Sequence, residues 1–278
     1  MRESVRAEIR QVADGLVFPE GPVWHPDGYL LFSDVHGATI ERLKPDGGTA
    51  TWWSVGKKTN GLILSPDRRK IIACCYSERE LLEIDAETRE YRVITRECDG
   101  RPYVNVNDVA ADSNGFIYFS DPKWNPAPDD VQGVYCVRPD GTVFLAAHLD
   151  QQPNGLVVSP DERYLYVARS GADHIVRFQR RSDGTLTDMV IFVELERGAE
   201  PDGMTVDSSG NLYIAEAGTG RLTVVAESGQ ILGQVQVCER MATNCEFHGQ
   251  DSDLLYVTGG GKQGTRQGRV WELRLIWG

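Results

Sequence analysis

The chain has 278 residues, a formal net charge of −12, 41% hydrophobic and 25% charged residues. This is enough apolar content for a sizeable core, and large all-β architectures reach this length as one domain. The acidity, relieved only by short clusters such as Arg68-Arg69-Lys70 and Arg180-Arg181, argues against a nucleic-acid partner, which needs a basic face.

At the N-terminus, MRESVRAEIRQVADGL has no apolar core of a signal peptide. No apolar run approaches the ~18 residues of a membrane span. The expectation is a cytoplasmic protein without a membrane partner. Its first element is a lone strand, Ala7 to Ala13.

A hairpin then recurs along the chain. EGPVWHPDGYLLFSDV starts at Glu20, NGLILSPDRRKIIACC at Asn60 and NDVAADSNGFIYFSD at Asn107. NGLVVSPDERYLYVAR starts at Asn154 and DGMTVDSSGNLYIAE at Asp202, and TNCEFHGQDSDLLYVTG follows from Thr243. Each pairs two short strands across a turn rich in Pro, Asp, Ser and Gly, and most units continue into a third strand. A period of about 40 to 50 residues built from short strands predicts a β-propeller, here all-β and six-bladed. No amphipathic helical segment interrupts the repeat, which excludes a βαβ fold. The last unit runs out after its third strand, so the lone N-terminal strand is expected to complete it and close the ring. Residues 1–278 then form one propeller domain.

In a propeller the first strand of each blade lines the central channel. The residues opening those strands are Glu20, Asn60, Asn107, Asn154, Asp202 and either Thr243 or Asn244. Taken singly, Asn and Asp here are common turn formers. Taken together, six oxygen-bearing side chains converge on one axis, two of them carboxylates that need a compensating cation. Oxygen ligands suit a hard divalent cation: Ca²⁺ first, with Mg²⁺, Mn²⁺, Zn²⁺ and Fe²⁺ also admissible. The second strands end at Asp34, Cys75, Asp121, Arg169, Glu216 and Gly259, which are expected to ring the mouth. After Asp121 the connection DPKWNPAPDDVQG is long and carries Trp124, as a lid or substrate wall would.

Other chemistries lack their signatures. The five histidines show no H-x-x-x-H pair, and there is no G-x-S-x-G elbow. GGGKQGTRQG lacks the phosphate-loop pattern and reads as a connection within the last blade. The six cysteines have no C-x-x-C spacing and read as reduced, buried thiols.

With EGPVW, NDVAAD, PNGLVVSPD, PDGMTVD and TNCEFHG in order, the sequence resembles the senescence marker protein/gluconolactonase family, which includes regucalcin-like proteins. The resemblance implies a six-bladed propeller with one divalent metal on its axis, held by Glu20, Asn154 and Asp202. Asn107 would be a fourth ligand or hold the substrate. It implies hydrolysis of a sugar-acid lactone, with Asp202 as general base and Asp121, Trp124 and Arg169 shaping the pocket. Animal members that prefer gluconolactone carry Arg where this chain has Asn105, so that substrate contact is altered here. The expected partner is a small sugar lactone, in a monomer or weak homo-oligomer. The alternatives are a hydrolase of another ester class, a Ca²⁺-binding or ligand-sensing propeller without turnover, and a protein-interaction propeller.

Overall fold

A computed structural model describes residues 4–124, 131–249, 253–261 and 265–278. Six four-stranded antiparallel sheets follow one another along the chain. Blade one comprises Pro19–His25, Tyr29–Asp34, Thr39–Leu43 and Thr49–Trp53; blade two, Thr59–Leu64, Lys70–Cys75, Glu80–Asp85 and Tyr91–Thr95. Blade three comprises Val109–Ala111, Ile117–Asp121, Gly133–Val137 and Val143–His148; blade four, Pro153–Val158, Tyr164–Arg169, His174–Arg180 and Leu186–Glu194. Blade five comprises Pro201–Val206, Leu212–Glu216, Arg221–Val225 and Ile231–Gln236. Blade six takes Ala242–Phe247, Leu254–Gly259 and Gly268–Trp277, and its fourth strand is Val5–Leu16 from the other end of the chain. The register runs from Val5 opposite Trp277 to Leu16 opposite Gly268. Among the described residues no helix is long and apolar enough to cross a membrane.

Burial explains the composition of the strands. Second strands are covered on both faces by neighbouring blades, so YLLFSD and KIIACC are apolar runs, almost wholly buried, rather than alternating patterns. Fourth strands face solvent, as in LTDMVIFVE with its exposed Met189, Val190 and Ile191. Six hydrophobic clusters fill the gaps between successive blades, such as Leu31, Ile40, Ile71 and Ala73 between the first two. The Ser-Pro-Asp turns are fixed by their own side chains. Ser65 Oγ donates to Asp67 at 2.6 Å, Asp67 accepts the Arg69 N–H, and Arg68 takes the left-handed conformation. Ser159, Asp161, Glu162 and Arg163 repeat this arrangement. The cysteines of the described structure are all free, and every one except the half-buried Cys238 is buried.

The first strands share an irregularity that positions the site. A register shift falls at Glu20/Val23, Thr59/Leu62, Pro153/Leu156, Pro201/Met204 and Ala242/Asn244. A bulge of this kind re-aims a side chain that regular pleating would send into the sheet. It also settles the sixth blade: Ala242 pairs with Gly259 as Pro201 pairs with Glu216, so Thr243 holds the place of Asp202 and Asn244 that of Gly203.

One residue past the opening position lies a second layer: Gly21, Gly61, Asp108, Gly155, Gly203 and Asn244. Here the first strands touch backbone to backbone. A Cβ on Gly21 would lie 2.7 Å from the Gly61 Cα, one on Gly61 2.7 Å from the Asp108 Cα, and one on Gly155 2.6 Å from the Gly203 Cα. Gly155→Ala is therefore expected to destabilise the fold by about 3 kcal/mol, since backbone cannot yield as a side chain can. Chemical denaturation of the variant would measure this, and an unchanged midpoint would contradict so tight a layer.

Candidate metal centre

At one mouth of the channel lies a cavity of about 480 Å³, within the range of small-molecule sites. Its floor is made by Glu20, Asn60, Asn107, Asn154 and Asp202. Its walls are Phe18, Gln152 and Glu200 from just before the first strands, and His36, Tyr76, Trp124, Ser170, Gly171 and Ala217 from just beyond the second strands. A larger recess of about 820 Å³ opens at the opposite mouth among the turns at Pro26, Pro66, Ser113, Pro160 and Ser208. Neither Glu20 nor Asp202 lines it.

The amides of the floor form a chain. Asn60 donates to Asn107, Asn107 Nδ2 to Asn154 Oδ1 at 2.6 Å, and Asn154 Nδ2 to Ser170 Oγ at 3.1 Å. The Ser170 hydroxyl continues to the Pro201 carbonyl at 2.6 Å, which ties the amides to the strand carrying Asp202. Glu20 is only 4% exposed and Asp202 8%. Burial, then the charge of Asp108, pushes the Glu20 carboxyl up to about 8, against donation from the Gly21 N–H and the Asn244 amide. Burial, then Glu20 and Asp108, pushes Asp202 well above the usual carboxylate range, against the Asn154 amide. Among the described residues the cavity lining holds no Lys or Arg. Two buried carboxylates with amide oxygens between them and no internal counter-charge fit a bound cation, because one cation lowers the desolvation cost of both.

A second group of candidate ligands, Cys75, Glu78 and Glu80, already has its own cations. Lys57 pairs with Glu80 and lies 3.8 Å from Glu78, and Arg96 is 3.6 Å from Glu80. Burial holds the Cys75 thiol up at about 12.

The expected mouth ring does not line the cavity. Asp121 is fully buried, and its carboxylate accepts the N–H groups of Val104 and Asn105. Asp34 does the same for Val17 and Phe18. Both acids end an FSD triplet and pin the segment that enters their blade. Arg169 turns away to pair with Asp150 and lies 3.1 Å from His174. Asn105 donates its amide to the Pro122 carbonyl at 3.0 Å, behind the wall. Trp124 does line the cavity and is 36% exposed; Asn125 to Asp130 of the expected lid lie outside the described residues.

Sequence reading missed His36, Tyr76, Ser170, Gln152 and Glu200. After their second strands blades one and four make 3₁₀ turns, Val35–Gly37 and Ser170–Ala172, which place the wall residues beyond the strand ends. Gln152 and Glu200 precede Pro153 and Pro201, and that shared position before a first-strand proline was the available signal. Burial and the Lys58 charge, opposed by Asp34, lower the pKa of His36.

The chain belongs to the SMP-30/Gluconolactonase/LRE-like family, whose model matches residues 18–261. It is 27% identical to a gluconolactonase of Zymomonas mobilis, over 91% of this chain and 79% of that one. It is 29% identical to the pentonolactonase XacC of Haloferax volcanii, over 88% of this chain and 82% of that one. The solved structure of a gluconolactonase from Xanthomonas campestris superposes with a TM-score of 0.84 at 28% identity, covering 97% of this chain and 90% of that one.

Proposed function

We propose that the protein is a metal-dependent hydrolase that opens the lactone ring of a sugar acid. The observation that carries this is the pair of buried carboxylates, Glu20 and Asp202, sharing a cavity floor with Asn154 and Asn107 and lacking any cationic neighbour in the described lining. Glu20, Asn154 and Asp202 would hold one divalent cation, with Ca²⁺ the best match to an all-oxygen set. Bound there, it would supply Lewis-acid polarisation of the lactone carbonyl and stabilise the oxyanion. Asp202 takes the proton of the attacking water as the new C–O bond forms. The ring C–O bond breaks, and the ring oxygen leaves with that proton as the hydroxyl of the open acid.

Asn107 and Trp124 face the substrate. Asn105, Asp121 and Arg169 act from behind the wall. Asp121 pins the Val104–Asn105 segment beside Asn107, and Arg169 ends the strand before Ser170. The lining favours an uncharged aldonolactone: Glu200 joins Glu20 and Asp202, and no described cation in the wall would receive a second carboxylate.

The test is acid release in a pH-stat by chelator-stripped protein, with each divalent cation restored in turn, over aldono- and uronolactones. Metal-restored hydrolysis of an aldonolactone is expected. No rate above the spontaneous one with any cation, while cation binding persists, would instead give a binding propeller without turnover.

A further inference from the structure

His36 lines the cavity from blade one, and the chain around it fixes its place. The Asp34 carboxylate accepts the Val17 and Phe18 N–H groups, and Val35 donates its own N–H to the Phe18 carbonyl at 2.9 Å. The turn Val35–Gly37 then closes with Ala38 in the left-handed conformation. It passes close over the pinning acid, since a Cβ on Gly37 would lie 2.7 Å from Asp34 Oδ2. The imidazole packs edge-on against the Phe18 ring, with centroids 5.4 Å apart.

The two nitrogens of this ring are not equivalent. Nδ1 is buried with no hydrogen-bond partner among the described residues, whereas Nε2 is not enclosed. A neutral imidazole carries its proton on one nitrogen and accepts at the other. A buried N–H without an acceptor is rarer than an acceptor left unpaired, so the proton belongs on Nε2. Burial and the Lys58 charge, opposed by Asp34, lower the pKa of the ring and favour that neutral form. His36 therefore offers the cavity a donor. The floor already gives its amide N–H groups along its own chain, from Asn60 to Asn107, Asn154 and Ser170. A sugar hydroxyl, whose oxygen needs a donor, finds one on this wall.

We propose that His36 is a substrate-binding residue that selects a hydroxylated lactone: its Nε2–H donates to one hydroxyl oxygen of the substrate. The proposal rests on the lactone reading above and adds to it the residue that reads the sugar. A site built to hydrogen-bond a hydroxyl rejects the analogue lacking it, because the donor is then left unpaired.

The experiment is steady-state kinetics of wild type, His36→Phe, His36→Asn and His36→Gln with the cation present, and a melting temperature for each. The substrates are the aldonolactone wild type uses best and the same lactone lacking one hydroxyl at a time. Phenylalanine keeps a ring against Phe18 without a donor, asparagine is too short to carry its amide to the place of Nε2, and glutamine can reach it. The Phe and Asn variants are expected to lose roughly tenfold in kcat/KM on the parent lactone, chiefly through KM, and the Gln variant to recover most of it. One deoxy lactone should be used roughly tenfold less well than the parent by wild type, and as well as the parent by the Phe variant. A ring that only packs would change kcat/KM by the same factor on every lactone, or on none, and either result would overturn the proposal. If the Phe variant does not fold, the same pattern in the Asn variant would do so. Wild type that turns over no lactone would instead remove the lactone reading, and this proposal with it.

Discussion

Asp202→Asn is expected to lower kcat/KM by at least ~10³, about 4 kcal/mol of transition-state stabilisation, while leaving the metal-free protein no less stable than wild type. The two effects share one cause. In the apoprotein Asp202 is held well above the usual carboxylate range by burial, then by Glu20 and Asp108. Burial already disfavours its charged form, so an amide of the same shape costs little. The proposed mechanism requires that group ionised, both to share the cation with Glu20 and to accept the proton of water. The variant should accordingly lose the rise in melting temperature that a divalent cation gives wild type. Steady-state kinetics on the preferred lactone and melting curves with and without chelator would check both halves. Activity within tenfold of wild type would remove Asp202 from the chemistry.

The second large effect is the pH dependence of the stripped protein. Glu20 has its folded pKa at about 8, against an ordinary 4.5. Between those values the folded chain keeps a proton that the unfolded chain has released, so stability falls as pH rises through the window. Each group contributes at most about 1.4 kcal/mol per pH unit. Asp202 falls the same way, and so do Asp108 and Glu246, both raised to about 7 by burial. On the proposed metal reading a divalent cation binds the ionised forms and should cancel the part due to Glu20 and Asp202, leaving the smaller slope due to Asp108 and Glu246. At a thousandfold excess over its Kd, cation binding adds about 4 kcal/mol, or roughly 10 °C in a protein of this size. The gap in melting temperature between loaded and stripped protein should therefore widen from pH 5 to pH 8. An apoprotein whose melting temperature is flat across that range would contradict the buried-carboxylate account.

The blades were legible because their cause is local. A polar opener, a short strand, a Ser-Pro-Asp turn and a second apolar strand recur with side chains that fix the turn themselves, as Ser65 and Asp67 do. The floor of the cavity was legible for the same reason, since Glu20, Asn107, Asn154 and Asp202 occupy one place in that repeat. The walls were not. Counting along a strand to its end leads to Asp34 and Asp121, and alternation alone cannot tell that these acids receive backbone N–H groups from a segment entering the blade. The cavity is finished by residues past the strand, on turns whose course tertiary packing sets. The choice between Thr243 and Asn244 was hidden by the bulge, which places two residues opposite one partner.

The glycine layer also constrains how such a site can diversify. Residues 21, 61 and 155 meet backbone and admit no side chain, and residue 203 admits none beside the Asn244 amide, so a mutational scan should find them nearly invariant while much of the outer surface tolerates change. The turns that carry Tyr76, Trp124 and Glu200 are under no such restriction. Selection for a new substrate can rewrite that rim one residue at a time, while the glycine-packed axis is inherited unchanged.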